Sequence, residues 1–476
     1  MKLKLATRLF TITIILFVFP AIIYSQQAWT LEECIDYALE HNISVKQQQL
    51  NTAMNKNNLL QSKHSLLPSI NAGVSGSLNL GRSVDPLTYE FTTENVKSSN
   101  FAINSSVTLF SGLQQYNTIK ANEYNLKASL QDYKKLKNDI ALYISTAYLQ
   151  VLFAEELVVI AEDQLEITRQ QVSRTNKLVE AGSLAQGSLL EIQAQEAAEE
   201  LQLVTAQNNL DISYLTLTQL LELETAENFK IVKPQIEEIN ESSILQSASS
   251  IYSEGVAVLP QIKSAELKLK SSEKNLAVSR GAYLPHLSLS GRINTGYSNN
   301  RYIPDKAKVP DIIEIGYTTS GEIVYAPFFQ PIQADYPFSD QLKDNAYKSV
   351  SLNLTIPIFN NLQVYMGVKN SKLNVINNKY SLDQAKNTLY KDIQKAYTDA
   401  VAALKKYKVS EKSVEAIKES FRYTSQKFDV GLVTSFDYNQ AKTQLTKVKS
   451  DLLQAKYEYI FKSNILQFYR GKPIRL

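Results

Sequence analysis

The sequence predicts a mainly helical chain with a membrane β-barrel part: long antiparallel coiled-coil helices joined to four β-strands, too few to close a barrel alone. Three observations predict it. Residues 107–220 reappear at 356–469 with one constant offset, Phe110 falling on Phe359, Ala147-Tyr148 on Ala396-Tyr397 and Gly182 on Gly431, a shift of 249 each time. Each half carries two segments that alternate apolar with small polar residues, the period of a strand. Each half then runs through a long proline-free stretch whose apolar positions recur every three and four residues, a heptad seam. A repeat of this kind is one structural unit used twice, so function belongs to the assembled pair rather than to a local pocket.

Residues 1–25 read as an export signal, Lys2, Lys4 and Arg8 preceding the apolar run Leu9 to Tyr24, with cleavage expected near Ser25. An uncleaved anchor is the alternative, and the run is short for one. No later apolar stretch is expected to approach spanning length, so no transmembrane helix is expected in the mature chain. The single cysteine, Cys34, lies within an amphipathic segment and reads as a small buried hydrophobe.

The first repeat spans 26–224. A helix is expected over about Ile43 to Ser65, then a strand over about 69–80, where Ile70, Ala72, Val74, Leu78 and Leu80 interleave with Asn71, Gly73, Ser75, Ser77 and Asn79. After a short polar loop, Gly81 to Lys97, a second strand over about 98–110 carries Phe101, Ile103, Val107 and Leu109 on one face. From Gly112 to Glu180 there are 69 residues without proline, about 100 Å as one helix. A returning helix, Leu184 to about Glu222, follows the turn Ala181-Gly182-Ser183-Leu184. Residues 225–256 read as a surface connection through Pro234 with a short helix after it.

The second repeat spans 257–476. It offers a helix over about Gln261 to Ala282, strands over about 286–297 and 347–358, a rod from Asn361 to Val430 and a return from Thr434 to Arg470. Leu67-Pro68 answers Leu284-Pro285 at a shift of 217, so 32 extra residues sit between the strands of this half, in the loop 298–345, rich in proline and aromatics. That loop reads as an external lid or partner surface, or as a loop without special role.

Ten-residue segments with dyad alternation suit an outer-membrane barrel wall, apolar to lipid and polar to a lumen, and a soluble sandwich alternates as well. Number separates the two readings. The smallest membrane barrels have about eight strands, and open edges are not tolerated in lipid, so the strands must come from several copies. The rod seams match position for position: Ile144, Ala147, Val151, Ala154, Leu165 and Thr168 answer Ile393, Ala396, Ala400, Ala403, Val414 and Ile417. Ordinary globular helices rarely reach this length.

Composition excludes other classes. Without Lys2, Lys4 and Arg8 the 50 basic side chains fall to 47, equal to the 47 acidic ones, which gives no electrostatic reason for nucleic-acid binding. Three histidines, one cysteine and no Gly-rich phosphate loop leave little for a metal site, cofactor site or nucleophilic triad, so no enzyme is expected.

The chain resembles the TolC-type outer membrane efflux family over essentially all of its mature length. The residues that carry the resemblance are the opening Trp29-Thr30-Leu31-Glu32-Glu33-Cys34-Ile35-Asp36-Tyr37-Ala38 with His41-Asn42, the two Leu-Pro strand entries, and the turns Leu109-Phe110-Ser111-Gly112 and Ile358-Phe359-Asn360-Asn361. The phrase Phe428-Asp429-Val430-Gly431-Leu432-Val433-Thr434, running into Asp437, is the most specific. The resemblance implies a homotrimer with a twelve-stranded barrel in outer-membrane lipid and a trimeric α-barrel across the periplasm. It further implies a passive exit duct that works with a periplasmic adaptor (membrane fusion) protein and an inner-membrane pump, in efflux or type I secretion.

By that resemblance Gly182, Ser183 and Leu184, with Gly431, Leu432 and Val433, are periplasmic tips where an adaptor docks. The two glycines equally suit the positive φ of helix C-termini. The family's closed end is narrowed by acidic residues and held by a basic one. Asp437 stands at the first acidic position, whereas Gln440 replaces the second, Val433 replaces the basic residue, and the matching first-half position is Ser188. Asp437 therefore reads either as a three-copy aperture ring or as a first-turn carboxylate favoured by the helix macrodipole. An elongated periplasmic coiled-coil scaffold, never entering a membrane, is the competing class. It explains the heptads but leaves the four strands without a purpose.

Overall fold

The computed structural model describes residues 28–84, 89, 91–93, 95–225, 229–234, 246–301, 308–331 and 336–472. The expected signal at 1–25 and part of the connecting segment lie outside the described residues. In chain order the elements are α1 (Leu31–His41), α2 (Ile43–His64), β1 (Ser69–Asn79), β2 (Ser83–Val84), β3 (Phe91–Thr92), β4 (Val96–Ser111), α3 (Gln114–Glu180) and α4 (Gln186–Leu220). The second half follows with α5 (Ala248–Val258), α6 (Pro260–Gly281), β5 (His286–Ser298), β6 (Lys308–Tyr317), β7 (Ile323–Pro331), α7 (Phe338–Asp344), β8 (Tyr347–Thr355), α8 (Gln363–Asp429) and α9 (Ser435–Tyr469).

The repeat governs backbone detail as well as pattern. α3 and α8 are each 67 residues long, and α4 and α9 each 35. Gly112 and Leu113, with φ of 59° and 62°, enter α3 through two left-handed residues; Asn361 and Leu362, at 49° and 61°, enter α8 the same way. Packing divides the chain differently from the repeat. One unit takes 1–54, 127–267 and 380–476, and the other takes 55–126 and 268–379, so each draws on both halves.

In the first unit α1 opens on a capping box. The Glu33 backbone N–H donates to Thr30 Oγ1 at 3.2 Å while the Thr30 N–H donates to the Glu33 carboxylate at 2.8 Å. The core gathers Leu31, Cys34 and Ala38 of α1, Ile144, Tyr148, Val151 and Leu152 of α3, Leu217 of α4 and Tyr457 of α9. Tyr148 satisfies its buried hydroxyl by donating to the carbonyls of Trp29, at 3.1 Å, and of Val232. Cys34 is fully buried, and burial pushes its thiol up to about 12. The expectation that no later apolar stretch approaches spanning length is corrected here. α3 contains an 18-residue window apolar enough to cross a membrane, and half of that window is buried inside the protein. Such a stretch is what a long helix needs when it supplies the core of a helical layer.

The second unit contains a four-stranded antiparallel sheet in the order β1-β4-β5-β8. β8 stops at Thr355, short of the expected 358, because Pro357 has no N–H to give a ladder. A bulge between Thr108 and Phe110 shifts the β4–β5 register. Gly112 and Gly281 pass so closely that a Cβ on Gly112 would lie 2.2 Å from the Gly281 carbonyl oxygen, which excludes any side chain there. The loop 298–345 differs from expectation. It holds the hairpin β6–β7 and the short helix α7: Ile312 pairs with Pro327, Ile313 with Ala326 and Tyr317 with Ile323, β-branched and aromatic runs that favour a ladder, across a turn that ends at Gly321, φ 83°. The short loop 81–97 likewise carries the two-residue ladder β2–β3.

α7 ends the sheet at its loop side. The Ser298 N–H donates to Gln341 Oε1 and Gln341 Nε2 donates to the Ser298 carbonyl, both at 3.0 Å, so a side-chain amide takes the place of a strand residue. Asn345 Nδ2 donates to the Gly296 carbonyl at 2.7 Å and Thr295 Oγ1 to the Leu342 carbonyl at 2.6 Å. The β5 edge beyond β8 is thereby occupied.

Candidate functional site: sheet faces and helix tips

Cross-strand register sorts the sheet into two chemically opposite faces. Val74 pairs with Phe101, Ala72 with Ile103, Ile103 with Ile293, Val107 with Leu289, and Leu287 and Leu289 with Leu354 and Leu352. One face is therefore mainly apolar from β1 to β8, with Ser105, Lys97 and Lys348 among the polar members that pair onto it. The other carries Asn71, Ser75, Ser77, Ser98, Asn104, Ser106, Ser288, Ser290, Arg292, Asn294, Ser349, Ser351 and Asn353 at the alternate positions. The apolar face is uncovered: Ile70 is 71% exposed, Val74 73% and Val350 78%. β1 and β8 are each paired on one side only, so the sheet ends in two open edges. In water such a surface would drive association. In lipid the apolar face is at home, and the edges must be closed by other strands.

At the tips of the long helices the two turns share one geometry. The Gly182 N–H donates to the Val179 carbonyl at 2.9 Å and that of Ser183 to Leu178 at 2.8 Å; Gly431 donates to Phe428 at 3.0 Å and Leu432 to Lys427 at 2.9 Å. Gly182 and Gly431 have φ of 74° and 75° with open space around each Cα, so conformation rather than crowding selects glycine. Chemistry separates the turns. Val430, Leu432 and Phe436 stand exposed at the second tip, where the first has Ala181, Ser183 and Gly187. Leu184 and Val433 are half-buried.

Asp437 sits at the third position of α9 and completes a capping box. Its carboxylate accepts from the Thr434 hydroxyl at 2.6 Å and the Thr434 N–H at 3.1 Å, while its own N–H donates to Thr434 Oγ1 at 3.2 Å. These two bonds from Thr434 hold its carboxyl below the usual carboxylate range. Gln440 is exposed one turn on, and Ser188, half-buried, donates its N–H to the Ala185 carbonyl at 3.0 Å. Within one chain the structure thus gives Asp437 a local partner and does not bring it to Ser188. Nearby, Arg174 of α3 pairs with Asp429 at 2.7 Å, and Tyr438 stacks on Phe428 with ring centroids 4.7 Å apart.

Sequence reading missed a buried polar cluster between α3, α4 and α9. Lys442 lies 3.6 Å from the Glu199 carboxylate, each side chain 4% exposed. Lys442 also donates to the Gln164 carbonyl at 3.0 Å and to Thr168 Oγ1, Gln164 Nε2 donates to Glu199 at 3.1 Å, Gln195 to Glu199 at 2.8 Å, Thr168 to Glu199, and Thr446 to Gln164 Oε1 at 2.6 Å. The available signal was a break in the repeat: positions of Thr168 and Glu199 are Ile417 and Val448 in the second half. Among the described residues no group of three or more His, Cys, Asp or Glu side chains gathers into a metal site.

With this geometry in place, the sequence profile of the family described as outer membrane efflux protein matches residues 34–222 and 252–472. The chain is similar to the outer membrane protein TolC of Vibrio cholerae, 23% identical over 401 residues that cover 84% of this chain and 81% of that protein. Its fold is similar to the solved structure of CusC, studied for transmembrane channel formation, with a TM-score of 0.74 at 16% identity over 92% of this chain and 91% of that one. It is similar also to the outer membrane protein VceC of Vibrio cholerae, TM-score 0.73 at 12% identity, covering 94% and 97% of the two chains.

Proposed function

Because the chain belongs to the outer membrane efflux protein family, placed in the outer membrane and reaching into the periplasm, we propose that three copies assemble into a passive exit duct for small molecules or secreted proteins. The observation that carries this reading is the two-faced sheet with both edges open. Three copies give twelve strands, pairing β8 of one with β1 of the next, with apolar residues to lipid and Ser, Asn and Arg292 to the lumen. The long helices continue as a periplasmic tube. Residues 1–25 direct export and are removed, 26–224 and 257–476 act as the two repeats, and 225–256 joins them.

The duct takes its cargo from an inner-membrane pump through a periplasmic adaptor that docks at Gly182, Ser183, Leu184, Gly431, Leu432 and Val433. The exposed Val430, Leu432 and Phe436 supply apolar contact at the second tip. Asp437 from three copies, with Gln440 and Ser188, lines the aperture, and no catalytic chemistry is assigned. A periplasmic scaffold has no use for an uncovered apolar sheet face. The test is native mass and planar-bilayer conductance of the detergent-extracted protein. Three copies with discrete conductance steps are expected, and a monomer that leaves bilayers impermeable would refute the duct. Asp437→Asn should weaken cation selectivity; unchanged selectivity and block would remove the ring.

A further inference from the structure

A shallow groove interrupts the apolar face of the sheet. Ala72, Ile103, Ile293 and Lys348 form one row across the strands, and Val107, Leu289 and Leu352 form another. The row between them holds Ser105, Gly291 and Val350. Its two small members leave a trough of about 390 Å³ walled by Ile103, Ile293 and Val350, and Lys348 borders it on the side of the loops.

Nothing in the chain itself requires glycine at 291. Gly291 does not take a positive φ, and a Cβ there would meet only the Ser349 carbonyl oxygen, at 4.0 Å, an ordinary contact. The bulge of this sheet lies elsewhere, beside Leu287 and Ser288. A glycine inside a strand gives up packing and order, and without a turn or bulge to explain it the usual reason is close approach by another molecule.

Charge singles out the same place. Among the described strand residues of this face, Lys97 and Lys348 carry the only charges, and neither is a carboxylate. Lys348 is exposed, with no side-chain partner among the described residues. The next row toward the loops holds Phe101 and Thr295, and Phe338 of α7 rests on Phe101 and Tyr297 with ring centroids 6.2 and 5.2 Å away. Aromatic rings flank the apolar band of a membrane barrel at the level of the lipid head groups. A lysine just beneath them lays its four-carbon stem along apolar surface and lifts its ammonium to that level.

We propose that this groove binds a phosphate-bearing membrane lipid, with one acyl chain along Gly291 and Ser105 and the phosphate on the Lys348 ammonium. The inference rests on the reading above that this face meets lipid. An ammonium at the edge of the apolar band needs an anion, and this face of the sheet supplies none. An acyl chain fills the space that Gly291 leaves. A zwitterionic lipid carries its own cation beside the phosphate and gains less from Lys348.

Native mass spectrometry of the full-length, detergent-extracted protein, titrated with dioleoyl phosphatidic acid or dioleoyl phosphatidylcholine, tests the site. The wild type should bind phosphatidic acid more tightly. Lys348→Gln should weaken that binding about fivefold and leave phosphatidylcholine unchanged, whereas Lys348→Arg should keep it. Gly291→Leu fills the trough without altering charge and should weaken both lipids. Lys97→Gln is the control, because Lys97 lies six residues further along β4 than Ile103, about 20 Å. Equal losses in Lys97→Gln and Lys348→Gln would show a general effect of charge and overturn the site, as would full binding by Lys348→Gln or Gly291→Leu. Displacement of phosphatidic acid by inorganic phosphate at the same concentration would overturn the lipid in favour of a bare anion. A wild type that weighs as three copies yet binds the two lipids alike refutes the groove and leaves the duct standing. One that weighs as a single copy and binds neither refutes both.

Discussion

Replacing Lys442 by methionine tests the energetics of the first unit most directly. Lys442 and Glu199 face each other at 3.6 Å with 4% of each side chain exposed. Burial pushes the Lys442 amine below its ordinary range, and the Glu199 carboxylate beside it works in the opposite direction. A pair this deep adds little over a well-packed apolar substitute, but stripping one partner strands the other charge at a cost of about 3–5 kcal/mol. Glu199 would keep donors from Gln164, Gln195 and Thr168, which places Lys442→Met near the lower end, at about 3 kcal/mol. The repeat itself supplies the control, because its matched positions hold Ile417, Val448 and Gln193. The triple variant T168I/E199V/K442Q borrows that neutral set and should return to within about 1 kcal/mol of the wild type. Guanidinium unfolding followed by helical circular dichroism, with hydrogen exchange of the α9 amides, measures both. A Lys442→Met protein as stable as the wild type, or a triple variant as weak as the single one, would refute the account.

Charge on the apolar sheet face should block membrane insertion. Leu352→Lys is expected to cost about 2–4 kcal/mol per copy near mid-bilayer and to lower the outer-membrane yield, while Asn353→Lys on the opposite face should insert and shift ion selectivity. Gly431→Ala forces a side chain into the left-handed region, at about 1–2 kcal/mol, and should destabilise the second tip in hydrogen exchange without altering the sheet. The Asp437 cap gives a pH signature. Its carboxyl titrates below the usual range when folded, so its stabilisation is full above the unfolded carboxylate range and fades as pH falls through the lowered folded value. Exchange of the first α9 amides should therefore accelerate only in acid, and Thr434→Ala or Asp437→Asn should flatten that response.

The long elements were legible because their patterns extend over many residues. Val74, Phe101 and Leu352 alternate with serines and asparagines, and the rods keep a heptad over nine turns or more, so strand faces and helix ends were read within a few residues. The capping box at Thr434 and Asp437 was also present as spacing, yet a solitary carboxylate there reads equally as a local cap and as one member of a ring. Contacts between distant segments left weaker traces. Glu199 and Lys442 each look like a solvated helical charge, and only their mismatch with Val448 and Gln193 hints at burial. The β6–β7 hairpin was obscured by Pro310, Pro327 and Pro331, although its β-branched runs favour a ladder. The apolar window in α3 was hidden by Ser145, Thr146 and Gln150, which interrupt the run without making it polar.

The amide of Gln341 has a consequence beyond ending a ladder. Strand positions are indexed in steps of two, and a slip of β8 by one residue along β5 would turn Val350, Leu352 and Leu354 toward the wet side. By occupying the Ser298 backbone, Gln341 acts as a doorstop that β8 cannot slide past. The phase of the outermost strand is thus set by bonds within the chain itself and needs no second copy to define it.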